Sequence, residues 1–514
     1  MHPAVRARTE PEKTAFTMAG SGRAVTFREL DERSNQIAHL LRGIGLRRGD
    51  RISLLGENSA EFVLVCCAAA RAGLYYAPIG TSLTPGEIGH IVTDSEARAM
   101  FAGVAMADKA REAAGAAVGL AGRYSLGGEI AGFEKLDDAV AGLPTTPIAD
   151  ESEGLDLLYS SGTTGRPKGI LRPLTDRPLD APDASTQAYA SLWGMGDDTV
   201  YLSPAPLYHA APLRFLMGVM AQGGSAVIME HFDAESALGL IERHRVTHSQ
   251  WVPTMFVRLL KLPEAMRRRF DLGSHKAAIH GAAPCPISVK REMIAWWGPI
   301  LFEYYGGTEA IGSCAINSDE WLRHQGSVGR PMVGKIHLVG TDGAELPAGE
   351  EGLVYFSDGG PRFEYLNDEA KTREIEQADG WRTFGDVGRV DAEGYLYLTD
   401  RASNLIISGG VNIYPQETEN LLVTHPKVAE AAVIGVPNEE FGEEVRAVVQ
   451  PASWDTPTHE LAAELIAYCR QHLSPIKCPR AIDFDPAVPR GENGKLYKRR
   501  LRDRYWAGRS SRLV

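Results

Sequence analysis

Residues 52–87 read ISLLGENSAEFVLVCCAAARAGLYYAPIGTSLTPGE and alternate short apolar runs with longer helical patterns. The runs Ile52–Leu55 and Leu74–Pro78 predict strands, because each is a brief apolar stretch bounded by turn residues. Between them, residues 58–73 predict a helix with Asn58 as its N-cap. This order of strand, helix and strand is typical of parallel sheets covered by helices on both faces. We therefore expect the α/β class.

The alternation continues on both sides of this stretch. Upstream, Thr26 and Glu29 predict a capping box that opens a helix, and downstream, Thr84, Pro85 and Glu87 predict another. Four further strands are predicted by short apolar runs, at Thr199–Leu202, Ala226–Met229, Ala277–His280 and Leu301–Tyr304.

The pattern changes after about Ser327, where short alternating segments with Gly and Pro predict antiparallel hairpins. From Pro415 the order helix, strand, strand, helix returns, over a length that suits a separate small domain. We predict an N-terminal domain over residues 1–402, with a β-rich, barrel-like subdomain at about 327–400. A small C-terminal α/β domain follows over residues 403–514.

Composition excludes several functional classes. The 514 residues include 54 Lys and Arg against 66 Asp and Glu, a formal net charge of −12. An acidic balance argues against a nucleic-acid binder or a membrane-surface binder, since those proteins carry a basic excess. Six scattered cysteines without C-x-x-C spacing indicate neither zinc nor a disulfide framework. With no apolar run near the ~20 residues of a membrane helix, we expect no stable membrane insertion and a cytoplasmic protein.

Residues 159–169, YSSGTTGRPKG, are the most informative for chemistry. Glycines let backbone N–H groups turn toward an anion, hydroxyls add donors, and Lys168 adds positive charge. The stretch is thus a phosphate cradle, although it fits neither the Walker A nor the dinucleotide-binding spacing. The alternative is an exposed turn, for which this density of hydroxyls and glycines is unusual.

This stretch resembles the phosphate loop of the adenylate-forming superfamily, which includes acyl-CoA synthetases, peptide-synthetase adenylation domains and luciferases. Four other motifs resemble that family's set in the same order: YGGTE at 305–309, GD at 385–386, DR…ISGGVNIYP at 400–415 and PR…GK at 489–495. The resemblance implies a large N-terminal domain followed by a small mobile C-terminal domain.

The resemblance also implies a function, that of an ATP-dependent acyl-CoA synthetase like the fatty-acid–CoA ligases. A carboxylic acid is activated as acyl-AMP with release of pyrophosphate, and the acyl group then passes to CoA. ATP, Mg²⁺, CoA and a fatty, aryl or bulky catabolic acid are the expected cofactors and substrates. Such a reaction depends on positioning and charge neutralisation. We therefore expect a cation at the reacting phosphate, a metal ligand, donors to the other phosphates and an acceptor for the ribose hydroxyls.

The family's roles carry over residue by residue. The resemblance implies that Lys495 is the catalytic cation, that Glu309 is the Mg²⁺ ligand and that Thr308 donates to the α-phosphate. It also implies that Tyr305 stacks on adenine, that Asp386 accepts the ribose hydroxyls and that Arg401 binds the ribose or phosphate edge. The remaining nucleotide contacts are expected from Ser160, Ser161, Gly162, Thr163, Thr164, Gly165, Lys168, Gly281, Ala282, Ala283 and Gly306.

The resemblance places His209 beside the acyl pocket, at a position where the family has an aromatic residue or a histidine. We expect His209 to be one of the catalytic residues. The other walls of the pocket are Trp251, Gly281, Gly306 and Gly307. The pantetheine of CoA is expected at Ser408, Gly409 and Gly410. Ser403 stands where the family has its hinge lysine or aspartate, and serine still tolerates the backbone change of a rotation.

Each assignment has a plain alternative. Tyr305 is otherwise a packed core aromatic, Asp386 a turn residue and Arg401 a surface ion-pair partner. Lys495 is otherwise one more lysine of a basic tail, and His209 a structural histidine. A stand-alone enzyme loading an external carrier protein, an oxidative luciferase-type enzyme and a non-catalytic nucleotide- and acyl-binding relative are the alternative functions. A homodimer is the expected assembly, since it is the commonest closed form.

Overall fold

The computed structural model describes residues 1–117, 119–160, 167–182, 184–377, 379–455, 458–491 and 496–507. Among these residues the strands are β1 (Thr14–Met18), β2 (Ala24–Thr26), β3 (Arg51–Leu55), β4 (Tyr75–Ile79), β5 (Ala99–Gly103), β6 (Gly122–Leu126), β7 (Glu134–Lys135), β8 (Leu155–Asp156), β9 (Leu158–Ser160), β10 (Lys168–Leu171), β11 (Val200–Ser203), β12 (Ser225–Ile228), β13 (His248–Trp251), β14 (Ala277–His280), β15 (Leu301–Gly306), β16 (Ser313–Asn317), β17 (Ser327–Val333), β18 (Lys335–Val339), β19 (Glu351–Ser357), β20 (Glu364–Tyr365), β21 (Arg382–Val390), β22 (Leu396–Arg401), β23 (Ile406–Ser408), β24 (Val411–Ile413), β25 (Val428–Asn438), β26 (Gly442–Pro451) and β27 (Ala481–Phe484).

The α-helices of the same residues are α1 (Phe27–Gly43), α2 (Ala60–Arg71), α3 (Pro85–Asp94), α4 (Ala107–Ala116), α5 (Leu136–Ala139), α6 (Ala184–Trp193), α7 (Ala210–Ala221), α8 (Ala234–His244), α9 (Pro253–Leu260), α10 (Glu264–Arg267), α11 (Ile287–Trp297), α12 (Ser318–Arg323), α13 (Glu369–Glu374), α14 (Gln416–Leu422), α15 (Thr458–His472) and α16 (Lys498–Tyr505). No helix of the described chain has both the length and the apolar character needed to cross a membrane.

The chain divides into two compact units. Unit 1 comprises residues 1–250, 266–278 and 361–374, and unit 2 comprises residues 251–265, 279–360 and 375–514. These units differ from the domains predicted from the sequence, since each gathers separate segments of the chain. The predicted boundary between residues 402 and 403 stays a prediction.

Unit 1 contains a six-stranded sheet in the order β7-β6-β5-β3-β4-β8, and all of its neighbouring strands are parallel. Strands β1, β11, β12 and β13 of the same unit also pair in parallel. The α/β class and the parallel pairing predicted from residues 52–87 are confirmed.

The predicted N-cap of α2 is wrong. Ser59, not Asn58, caps the helix, and its side chain accepts a hydrogen bond from the N–H of Phe62. The buried amide of Asn58 instead donates to the carbonyls of Ala205 and Met229. Both residues are good caps by type, and the tertiary partners of Asn58 decide between them.

Unit 2 contains the predicted antiparallel region. Strands β15, β16, β17, β22, β21, β19 and β18 are neighbours in that order, and each pair is antiparallel. The hairpin of β21 and β22 places Asp386 opposite Arg401. Further along, β24, β23, β26, β25 and β27 form a five-stranded sheet with its own core, which includes Leu422, Val433 and Leu465.

Candidate active site

The described ends of the glycine–hydroxyl stretch lie on two paired strands of unit 1. Strands β9 and β10 are antiparallel, and Ser160 lies opposite Lys168. Among the predicted phosphate contacts, Ser161, Gly162, Thr163, Thr164 and Gly165 lie outside the described residues. The strand pairing therefore explains how Ser160 and Lys168, eight positions apart, stand side by side.

Lys168 has a carboxylate partner in the same unit. Its Nζ donates to Oδ2 of Asp368 at 2.6 Å, and only 12% of the lysine side chain is exposed. This contact lowers the pKa of Asp368, because the ammonium stabilises the ionised carboxyl. Nothing in the sequence pattern around Asp368 signals this partnership.

His209 directly precedes α7 and occupies its N-cap position with an extended backbone. Its ring meets that of Tyr208 edge-on, with 4.5 Å between the ring centroids. The role of His209 beside an acyl group stays a prediction.

Three predicted nucleotide residues meet in unit 2. The hydroxyl of Tyr305 donates to Oδ2 of Asp386 at 2.6 Å, and Nε of Arg401 lies 3.4 Å from Oδ1. Burial raises the pKa of Tyr305 well above its ordinary value, so the phenol keeps the proton it donates. The side chain of Arg401 is 45% exposed, whereas Asp386 is buried. The carboxylate is thus fixed in direction by Tyr305 on one oxygen, with Arg401 near the other.

The segment that follows β14 approaches a tyrosine closely. A Cβ built on Gly281 would lie 2.8 Å from the ring and from the carbonyl oxygen of Tyr304, so a side chain has no space there. The next residue, Ala282, has a φ of +69°, which strains a residue other than glycine. Such strain in a predicted nucleotide-binding segment is typical of a functional site. Ala283 continues this segment toward α11.

The YGGTE segment is held by packing within unit 2. A Cβ on Gly307 would lie 2.3 Å from the ring of Phe384, so the absence of a side chain permits this close contact. Gly306 is exposed, and its nearest neighbour would be 3.3 Å away. Ala310, after Thr308 and Glu309, has a φ of +55°. The place of Gly306 and Gly307 in the acyl wall stays a prediction.

Glu309 fits the predicted Mg²⁺ site through the chemistry of its donor atoms. Mg²⁺ prefers oxygen ligands and is commonly bound by one or two carboxylates together with substrate phosphates. Glu309 is partly exposed, and its carboxylate lies beside Gly307. The part of the chain that the structure describes holds no group of three or more His, Cys, Asp or Glu suited to a metal ion. A single carboxylate that shares the ion with phosphate oxygens is consistent with this arrangement.

Trp251 is fully buried in an aromatic cluster. Its ring centroid lies 6.1 Å from that of Phe256 and 5.5 Å from that of Trp297. An indole without exposed surface supports the fold of this region, and its place in the acyl wall stays a prediction.

The predicted hinge lies in a short turn after β22. The carbonyl of Ser403 accepts a hydrogen bond from Arg502 at 3.2 Å. Beside it, the buried carboxylate of Asp400 accepts from the side chain of Asn404 at 2.8 Å and from the N–H of Gln416 at 3.0 Å. Asp400 thereby connects the turn to the start of α14, a role that the sequence motif alone did not assign.

The predicted CoA residues form the tip of a hairpin between β23 and β24, where Ser408 lies opposite Val411. Gly409 and Gly410 have φ values of +56° and +79°, which glycine adopts without strain. The N–H of Gly409 donates to the carbonyl of Phe441 at 2.8 Å. The exposed Ile407 and Val411 flank this tip.

Lys495 lies outside the described residues, but the chain on both sides of it is anchored. Before it, Nε of Arg490 donates to Glu430 at 2.6 Å, and Arg490 pairs with Leu496 as an isolated β-bridge. After it, Nζ of Lys498 lies 2.9 Å from the buried carboxylate of Glu419. Neither acidic partner stands out in the sequence.

Comparison with known proteins identifies the family. A family model described as AMP-binding enzyme matches residues 4–361, and one described as AMP-binding enzyme C-terminal domain matches residues 417–495. A feruloyl-CoA synthase of an Amycolatopsis species is 33% identical over 506 residues, which cover 98% of this chain and 98% of that protein. A long-chain-fatty-acid–CoA ligase of Mycobacterium tuberculosis is 32% identical over 514 residues, with 98% and 97% covered.

Among solved structures, an anthranilate CoA ligase in complex with anthranoyl-AMP is similar with a TM-score of 0.84 at 26% identity, and covers 98% of this chain and 97% of that one. The first family model spans more than half of the chain, and both relatives align over nearly all of it. The chain therefore belongs to the AMP-binding enzyme family of the adenylate-forming superfamily, and is CoA-ligase-like within it.

Proposed function

We propose that the protein is an ATP-dependent, AMP-forming acyl-CoA synthetase in which Asp386 accepts the ribose hydroxyls of the nucleotide, beside Tyr305 and Arg401. The observation that carries this proposal is the buried carboxylate of Asp386, which is held by Tyr305 on one oxygen and lies near Arg401 on the other. A carboxylate fixed in this way accepts hydrogen bonds from vicinal hydroxyls without reorganisation.

The chemistry runs in two steps. In the first, a carboxylate oxygen of the acid attacks the α-phosphorus of ATP, the bond to the β-phosphate breaks, and pyrophosphate leaves with the electron pair. In the second, the sulfur of CoA attacks the acyl carbon of the adenylate, and AMP leaves as the C–O bond breaks. The thiol proton is released.

The first step brings anionic groups together, so it needs fixed positive charge. We assign Lys495 to the carboxylate and α-phosphate, and Ser160 and Lys168 to the β- and γ-phosphates. Thr308 donates to the α-phosphate. Mg²⁺ held by Glu309 and phosphate oxygens supplies charge neutralisation when it is bound.

The second step uses the C-terminal module. We propose that it rotates about Ser403 and brings Gly409 and Gly410 against pantetheine. Two glycines at the tip of a hairpin let an extended chain pass close to the backbone.

The acid is proposed to be aromatic or fatty. The relatives named above act on feruloyl and long-chain fatty acyl groups. Gly281 and His209 are assigned to the acyl pocket by the family resemblance alone. At position 307 the absence of a side chain permits the close approach of Phe384. The substrate class therefore rests on the relatives.

The test is a screen of pyrophosphate release over short, long, aromatic and polycyclic acids, with and without CoA. We expect release with at least one aromatic or fatty acid, and AMP and an acyl-CoA thioester in equal amounts when CoA is present. Absence of pyrophosphate with every acid would instead favour a non-catalytic binding protein. Thioester formation with a carrier protein but not with CoA would favour the carrier-loading enzyme.

We also propose that the enzyme acts in the cytoplasm as a homodimer. Six cysteines without a disulfide among them suit a reducing compartment. Cell fractionation and light scattering of the purified protein test these two points, and a monomer at micromolar concentration would contradict the second.

A further inference from the structure

The two described ends of the glycine–hydroxyl stretch are held by side chains to which the reaction assigns no role. Ahead of it, the hydroxyl of Tyr159 donates to Oδ2 of Asp94 at 2.8 Å. Behind it, Nε2 of His90 lies 3.1 Å from the carbonyl of Pro167, and Lys168 bonds Asp368. Two of these partners come from α3, and the third comes from a turn 200 positions along the chain.

That distant turn is attached to β10 by its backbone. Strand β20 pairs with β10, and the N–H of Leu366 donates to the carbonyl of Gly169 at 2.8 Å. A Cβ on Gly169 would lie 3.0 Å from the ring of Tyr159 and 3.3 Å from Leu366, so the glycine permits this close approach. Asn367, with a φ of +56°, also bonds Asp94 through its amide.

Asp368 is itself fixed in direction. One of its oxygens accepts from Lys168, and the other accepts from the N–H of Lys371 at 2.9 Å as the cap of α13. A carboxylate held by backbone on one side gives the ammonium of Lys168 a single preferred position. Because an ammonium carries three N–H donors, one carboxylate partner leaves Lys168 able to bind phosphate oxygens.

We propose that Asp368 is a positioning residue for ATP, which holds Lys168 at the start of β10 before the nucleotide arrives. This inference rests on the proposed function, since it takes Lys168 as a ligand of the β- and γ-phosphates. A lysine that is already ordered loses less rotamer freedom on binding than a free one does. The ordering of Lys168 by Asp368 therefore strengthens the binding of ATP and leaves the affinities for the acid and for CoA unchanged.

The test is a double-mutant cycle between Asp368→Asn and Lys168→Met. Asparagine caps a helix as well as aspartate does, so D368N keeps α13 and removes the charge contact. We expect D368N to raise the Kd of Mg–ATP by about 3- to 10-fold, measured by titration calorimetry. In the K168M background the same change should alter the Kd by less than 2-fold, because its partner is gone.

The matched control is Glu369→Gln. Glu369 is the next residue, is exposed, and pairs with Arg373 within α13, so E369Q removes a carboxylate of the same helix without touching Lys168. We expect its Kd for Mg–ATP to match that of the wild type. Thermal unfolding of all variants should agree within a few degrees.

Kinetics separate positioning from structural support. Where pyrophosphate release is measurable, D368N should raise the KM for ATP and leave kcat and the KM for the acid within 2-fold. An equal effect of D368N in both backgrounds, an unchanged Kd, or tighter ATP binding would overturn the inference. Because calorimetry measures ATP binding directly, the result stands even if no acid supports turnover. Absence of turnover would instead count against the proposed function.

Discussion

Replacing Tyr305 with phenylalanine tests most directly the proposed role of Asp386 as the acceptor of the ribose hydroxyls. The substitution removes one hydroxyl, which donates to Asp386 at 2.6 Å, and keeps the ring that packs edge-on against Phe384 at a centroid distance of 5.8 Å. A hydrogen bond to a charged group contributes about 1.5–3 kcal/mol, and about 1.4 kcal/mol corresponds to a tenfold change in affinity. Loss of this hydrogen bond can therefore weaken the binding of ATP by at most about 100-fold.

We expect the KM for ATP of Y305F to rise about 10-fold, less than the limit because Arg401 still faces the same carboxylate. The assay is initial-rate pyrophosphate release with the acid at saturation and ATP varied. The KM for the acid should change by less than 2-fold, since the partner of this hydroxyl is the proposed ribose acceptor, Asp386.

Tyr397→Phe is the matched control. Its hydroxyl also donates to a carboxylate, Asp391 at 3.1 Å, and Tyr397 lies on β22 as Arg401 does. Y397F should keep the KM for ATP within 2-fold of wild type. The reasoning is refuted if Y305F leaves the KM for ATP unchanged, or if Y397F raises it as much as Y305F does.

Three further predictions follow from other parts of the molecule. Lys495→Ala should slow adenylate formation by about 10²- to 10³-fold, because its ammonium is assigned to the negative charge of the carboxylate and α-phosphate in that step. Thioester formation from supplied acyl-adenylate should stay within 2-fold of the wild-type rate. Equal loss of both steps would contradict the assignment. Gly307→Ala should lower the free energy of unfolding by about 1–3 kcal/mol, measured with urea, because its Cβ meets Phe384, whereas the exposed Gly306→Ala should change it by less than about 1 kcal/mol. Burial lowers the pKa of His275 from 6.5 to about 3. Between pH 6.5 and pH 3 the unfolded chain therefore binds a proton at His275 that the folded chain does not bind. The free energy of unfolding should fall by up to about 1.4 kcal/mol for each unit by which the pH is lowered in this range. His275→Asn should therefore lose less stability than wild type between pH 7 and pH 5, and an equal loss would show that another group controls it.

The elements of this fold follow largely from local sequence. Predicted strand Ala277–His280 agrees with β14 at both ends, and the capping box of Thr84 and Glu87 is present at the start of α3. Both depend on residues within a few positions of one another, which the chain carries whatever its tertiary fold. Thr26 likewise caps α1 as predicted, although Glu29 pairs with Arg23.

Several residues act through partners that no local pattern reveals. Asn58 has the residue type and position of a cap, yet its amide bonds carbonyls about 150 and 170 positions away, and Ser59 caps the helix. Gly307 lies against the ring of Phe384, a contact 77 positions away along the chain that its motif does not reveal.

The sequence by itself determined the α/β class, the order of the motifs and the family, because these depend on residue type and spacing along the chain. Tertiary structure alone decided that Tyr305 donates to Asp386, 81 positions away, and that Lys168 pairs with Asp368, 200 positions away. For Lys168 and Asp368 the physical reason is strand register, because the pairing of β10 with β20 brings the two side chains into hydrogen-bond range. Tyr305 and Asp386 lie on β15 and β21, with three strands between them in the sheet order, so the packing of the whole sheet brings them together.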